Sequence, residues 1–289
     1  MQRWWWSGCF CLVAFWAIGQ ELRVEPDVDE RILYLNELEY FVDTTLSIQF
    51  DQIASPGFRP NFRKNTNYQN KDFKTNLSYW IRIPIHHERA TRHLWLLEFY
   101  DQTIDHIGAY VPNESGGYEN LVLGDHYPFT QRTFNHKNFE VPLDMRQDTT
   151  LIYYFNVRSH EFADIRIAFR SESRFIHYAL NEYFLYGTFY GMILIIALYN
   201  FLVYLAIREI KNIYYIMYIL SVAFYAMSLD GIAFQYLWPD HPAWRNIRSF
   251  SALEVKFSII CLNLTGSPSR LSGMAGSRVS VSEIFFSAA

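Results

Sequence analysis

Apolar and polar positions alternate along much of this chain before giving way to long apolar runs. In Tyr79-Trp80-Ile81-Arg82-Ile83-Pro84-Ile85, the residues Tyr79, Ile81, Ile83 and Ile85 fall on one face and Trp80 and Arg82 on the other. That two-residue period predicts a half-buried strand. Leu94 to Phe99 and Ile104 to Val111 read in the same way, with Ile107, Ala109 and Val111 set against His106, Gly108 and Tyr110. The run Pro112-Asn113-Glu114-Ser115-Gly116-Gly117 carries turn chemistry that neither a helix nor a strand continues through. Strands resume at Thr150 to Ser159, with Leu151, Tyr153, Phe155 and Val157 inward, and at Asp164 to Phe169, with Ile165, Ile167 and Phe169 inward. No convincing helical period interrupts them. The pattern therefore predicts short antiparallel strands in a two-sheet sandwich over residues 21–175. Ile32 to Leu38, Leu46 to Phe50 and the turn at Ser55-Pro56-Gly57 fit peripheral strands and loops.

The pattern then changes. Tyr183 to Ile207 is a run of 25 residues without an Asp, Glu, Lys or Arg. As a helix it would rise roughly 37 Å, enough to cross a hydrocarbon core of about 30 Å. A second run starts after Asn212, reaches Leu229, meets Asp230 and resumes to Trp238. Arg208-Glu209-Ile210-Lys211-Asn212 between them is short enough for a tight turn, so a hairpin of two membrane spans, 183–207 and 213–238, is expected. Asp230 interrupts the second span, and Trp238-Pro239-Asp240 close behind it places it at the outer interface.

The N-terminus reads as a signal peptide over residues 1–19. Arg3 supplies a positive charge, Cys9 to Ile18 an apolar core, and Ala17-Ile18-Gly19 the small residues before a cleavage point. The alternative is an uncleaved anchor helix, and both put the chain from Glu21 onward outside the cytoplasm. A net charge of -4 offers no basic surface for nucleic acid. The cysteines, Cys9, Cys11 and Cys261, all lie outside the alternating region, which leaves that region neither a disulfide framework nor a thiolate zinc site. Aromatic content is 18%, shared between the apolar runs and the alternating strands.

The order of these pieces resembles a bacterial receptor family, the seven-transmembrane receptors with diverse intracellular signalling modules. The resemblance rests on Tyr79-Trp80-Ile81-Arg82, on Leu96 to Tyr110, and on Gly124-Asp125 with Pro128-Phe129. That last stretch runs on through Arg132, His136 and Asn138 to Phe139-Glu140-Val141-Pro142-Leu143. In the apolar part it rests on Leu185-Tyr186-Gly187, Gly191, Tyr199-Asn200, Tyr214-Tyr215 and Gly231 to Pro239. It covers roughly residues 30–246. It implies an all-β, galactose-binding-like jelly-roll sandwich that senses a ligand, with carbohydrate as the suggested class, followed by transmembrane helices that drive a cytoplasmic module. After about Asn246 the family would continue with five more helices. Here the last 43 residues hold ten serines with scattered Arg248, Lys256, Arg270 and Arg278. A frameshifted or truncated reading frame, or a short natural tail without a fold of its own, is expected over residues 247–289.

Ligand binding on such a sandwich needs aromatic faces and a few polar groups near the loops. Trp80, Asp125, Arg132, His136 and Asn138 are the candidates, with Asp101, Asp105 and Tyr110 in neighbouring segments. Arg132 has two readings: a ligand contact, or an ion pair with Asp125 or Asp144 that pins a long loop. His86, His87 and His93 share one turn, but only Glu88 accompanies them, so a solvated loop is expected and neither a metal nor a cofactor. Asp101 with Asp105, or Glu161 with Asp164, are the carboxylate pairs a glycosidase would require, although sequence does not set their separation. No nucleophile-elbow, phosphate-loop or HExxH motif is present. The expected function is that of a receptor fragment in a bacterial inner membrane, its periplasmic sandwich binding a small molecule and its helices meeting lipid. It is expected to lack enzymatic activity, to bind no nucleic acid, and to be compatible with a homo-oligomer. The alternatives are a membrane-anchored carbohydrate-binding protein or glycan-active enzyme, and a structural anchor.

Overall fold

The structure is a computed structural model that describes residues 22–23, 30–87, 94–113, 115–143 and 149–242. The expected signal peptide, Glu88 and His93 of the histidine turn, Asp144 and the tail from 247 lie outside the described residues.

Strands β1 (Leu22–Arg23), β2 (Glu30–Tyr34), β3 (Glu39–Asp43), β4 (Arg63–Lys64), β5 (Ser78–His87) and β6 (Trp95–Phe99) are followed by β7 (His106–Pro112) and β8 (Tyr118–Leu123). The last three are β9 (Phe139–Leu143), β10 (Thr149–Arg158) and β11 (Arg166–Ser171). One sheet has the order β4-β3-β5-β10-β7-β8, with β1 running parallel to β5, and the other has β2-β11-β6-β9. From β5 onward the chain crosses to the smaller sheet for β6, returns for β7 and β8, crosses for β9, returns for β10 and crosses for β11. These exchanges between two antiparallel sheets make the jelly-roll sandwich.

The core lies between the sheets. Tyr79, Ile81, Ile83 and Ile85 of β5 meet Tyr153, Phe155 and Val157 of β10 on one side and Leu97, Phe99, Phe139, Val141, Ile167 and Phe169 of the smaller sheet on the other. Each such side chain contributes roughly 1.5–3 kcal/mol through burial. Leu46 to Phe50, expected among the peripheral strands and loops, is a turn leading into α1 (Phe50–Ala54). Asp43 takes over the backbone there: its carboxylate accepts from the N–H groups of Thr45, Leu46 and Ile48, and Leu46 sits at φ 58°.

The apolar run from Tyr183 is the later part of a longer helix, α2 (Glu172–Ile207). Ser171, the last residue of β11, is its N-cap and accepts from the N–H of Arg174 at 3.3 Å, so strand and helix are contiguous. Its 36 residues span roughly 54 Å, well beyond a core of about 30 Å, so the early turns stand outside the bilayer. Arg208, at φ 60°, ends α2 and leads to α3 (Ile210–Leu229). Only 6% of the most apolar stretch of each helix is buried, which excludes the core helix of a soluble domain and suits spans in lipid. Gly231, at φ 74°, then turns the chain into α4 (Ile232–Tyr236). The second span thus stops at Leu229, and Asp230 caps it at the end of the hairpin that meets the sandwich.

Candidate functional site

Alternation within the smaller sheet decides what faces away from the core. Leu97, Phe99, Phe139, Val141 and Phe169 point inward, which sends Glu98, Glu140 and Arg170 to the outer face. The register sets Glu98 directly opposite Glu140, and both are essentially unexposed. Two buried carboxylates across a strand pair repel and lose hydration, so the arrangement requires compensating partners. Arg170 places Nη1 3.1 Å from Glu98 Oε2 and Nη2 2.7 Å from Glu30 Oε1. Asn138 donates from Nδ2 to Glu98 Oε1 at 2.6 Å. His136 Nδ1 lies 2.7 Å from Glu140 Oε1.

The compensation reaches into the first helix. His136 Nε2 faces Glu182 Oε2 of α2 at 3.4 Å, and Lys137 Nζ lies 2.9 Å from Glu182 Oε1. Lys137 also donates to the Tyr186 hydroxyl at 3.1 Å. Burial alone would hold His136 uncharged, but its contacts with Glu140 and Glu182 outweigh burial and raise its pKa to about 9. Burial raises Glu140 to about 7 against the opposing pull of His136. Burial also raises Glu98, opposed by Arg170 and Asn138.

Arg132 organises the loop that delivers these groups. Its Nη1 donates to the carbonyls of His136, Lys137 and Asn138, at 3.1 Å to the first and the last. The guanidinium lies 4.4 Å from the ring centroids of both Phe129 and Phe139. Arg132 therefore pins the loop through backbone carbonyls and aromatic faces. Of the five candidate residues, Arg132, His136 and Asn138 come together here. Asp125 is buried in the same loop near β7, where its N–H donates to the Ile104 carbonyl at 2.9 Å. Trp80 lies on the outer face of the larger sheet, only 2% exposed, in a cluster with Ile53, Phe62 and Tyr154. Phe50 stacks on Tyr110 beside it at 3.9 Å, and the indole presents no open face. Sequence reasoning missed Glu98, Glu140, Lys137, Arg170 and Glu182. The available signal was a carboxylate inside each of the apolar strands Trp95–Phe99 and Phe139–Leu143.

The same loop docks on the far end of the hairpin. Gln235 of α4 donates to the Asn135 carbonyl at 3.1 Å and accepts from the Tyr183 hydroxyl at 2.6 Å. The Phe129 N–H donates to the Pro239 carbonyl at 2.8 Å, and Phe129 packs with Ala233, Phe234 and Trp238. Gln102, before β7, donates to the Leu229 carbonyl at 2.6 Å. Sandwich and helices are thus joined by a continuous polar and aromatic interface.

A two-sheet sandwich seated in this way on apolar helices is the architecture of a membrane protein with a folded domain outside the bilayer. Residues 35–171 match the family described as 7TMR-DISM extracellular 2, and residues 182–265 match 7TM diverse intracellular signalling. The chain belongs to the seven-transmembrane receptors with diverse intracellular signalling modules. The second match runs past residue 246, so the family likeness extends into the segment that the sequence reading assigned to an aberrant tail. Comparison with curated proteins gives no match.

Proposed function

We propose that the sandwich binds a small ligand, with carbohydrate as the favoured class, and that occupancy reaches the membrane helices through the Glu182 junction. The observation that carries this reading is the pair of sandwich residues, His136 and Lys137, that converge on one carboxylate of α2. A contact of opposite charges away from bulk water is a two-state element: it is kept or lost as a unit, and both sides bias it. We further place the protein in a bacterial cytoplasmic membrane with the sandwich on the periplasmic side. We assign it a binding and not a catalytic role. Support for a non-catalytic role comes from Asp101, whose carboxylate accepts from the N–H groups of Thr103 and Asp164 and so serves the backbone.

The test uses the full chain in detergent. Thermal melts against a panel of glycans and small carboxylates should yield a class that raises the melting temperature. Hydrogen exchange over residues 172–186 should change with that ligand. In Glu182→Gln the melting shift should persist while the exchange response disappears. A panel without any shift would overturn ligand sensing, and an exchange response unchanged in Glu182→Gln would overturn the proposed route.

A further inference from the structure

Asp105, His126 and His160 come from three separate loops and meet in one cluster. They lie in the connections β6–β7, β8–β9 and β10–β11, the first two of which also carry Gln102 and Asn135, the residues bonded to the hairpin. His126 Nε2 lies 3.3 Å from Asp105 Oδ1, and His160 Nδ1 contacts Asp105 Oδ2. One donor atom from each residue lies within 4.8 Å of the others. The two imidazole centroids are 5.3 Å apart.

The backbone holds this arrangement. The His160 N–H donates to Asp105 Oδ2 at 2.6 Å, and the His126 N–H to the Asp105 carbonyl at 3.3 Å. Gly124, at φ 138°, lets its loop press against Asp105: a Cβ there would sit 2.2 Å from the Asp105 carbonyl oxygen, so only glycine permits the approach. The carboxylate is 7% exposed, whereas the rings of His126 and His160 are 42% and 68% exposed. The anchor is therefore fixed and the imidazoles open to solvent. The remaining nearby imidazole, His106, is occupied by the Tyr127 hydroxyl at 2.7 Å.

Two nitrogens and one carboxylate oxygen form a donor set for a borderline-soft divalent ion; calcium and magnesium prefer oxygen throughout. With metal–ligand bonds of about 2.0–2.2 Å, donors in a tetrahedral site stand roughly 3.3 Å apart, the separation seen between His126 and Asp105. We propose that Asp105, His126 and His160 bind a divalent transition-metal ion of the zinc class, with a fourth position open to solvent. Such an ion clips three loops of the sandwich together beside its contacts with the hairpin.

Untagged full-length protein in detergent, stripped with a chelator, should bind zinc chloride at one site by calorimetry and give no signal with calcium chloride. Cobalt(II) should develop the intense visible bands of four-coordinate nitrogen–oxygen ligation. His126→Ala and His160→Ala should each weaken zinc binding by about tenfold or more. His86→Ala, on a strand away from the cluster, should bind as the parent does. Because both target rings are exposed, the metal-free variants should melt with the parent. Should either melt early, the cobalt spectrum of the parent decides by itself. Zinc binding weaker than about 100 μM, affinity unchanged in the double variant, or a cobalt spectrum like that of the aquo ion would overturn the site.

Discussion

Arg132 engages three successive carbonyls through one nitrogen while its plane lies between two phenylalanine rings. Arg132→Ala would leave those carbonyls and that aromatic slot unfilled. It should cost about 1–3 kcal/mol in thermal melts of the full chain, with ligand response reduced only in proportion. A variant that melts normally yet loses its ligand shift would make Arg132 a ligand contact instead. His136 and Glu140 give the junction a pH dependence. The pKa of His136 is raised from 6.5 to about 9, so its contribution is complete below pH 6.5 and fades as pH rises through about 9. Glu140, raised from 4.5 to about 7, acts in the same direction: its bound proton stabilises the fold below pH 4.5, and the benefit is lost as pH rises through about 7. Melting temperature should therefore decline from about pH 5 to about pH 9. His136→Gln should flatten the upper part of that decline. An unchanged profile in the variant would show that the decline arises elsewhere.

At the level of elements, β5 and β10 were legible because their core residues, Tyr79, Ile81, Ile83 and Ile85 in one and Tyr153, Phe155 and Val157 in the other, recur at every second position. β8 was not, since Tyr118-Glu119-Asn120 offers no inward apolar face before Leu121 and Leu123 begin to pack. The juxtaposition of Glu98 with Glu140 is a product of register between strands about forty residues apart, which no local pattern encodes. The early turns of α2 were hidden for a related reason. Glu172, Arg174 and Glu182 break the apolar run, and the partners of the last two, Glu30 for Arg174 and His136 and Lys137 for Glu182, are distant in sequence. Those turns cover the outer face of the smaller sheet: Phe175 is 5% exposed and its ring meets His136 edge-on at 5.1 Å. A fragment of residues 21–171 should keep a sheet-dominated circular dichroism spectrum but melt below one extended to Tyr186, because removing α2 uncovers Glu98, Glu140 and Arg170. Equal melting temperatures would show that the helix adds nothing to the sandwich.

Across the whole molecule, the sandwich and the Arg208–Lys211 turn lie at opposite ends of the hairpin. The exposed faces of α2 and α3, with Phe184, Leu194, Ile195 and Met217 among them, are surfaces for lipid or further helices. Basic residues in the turn favour the cytoplasmic side. Alkaline phosphatase fused near Arg170 should be active and a fusion at Lys211 inactive, and the opposite pattern would invert the topology. Force transmission follows from the seam at Ser171. Strand and helix share one backbone there, with the cap made by the residue that ends the sheet. No linker residues separate the two elements, so a tilt of the smaller sheet would act directly on the start of α2. Ligand-driven rocking of the sandwich would arrive at the inner leaflet as leverage, lengthened by a rod of 36 residues.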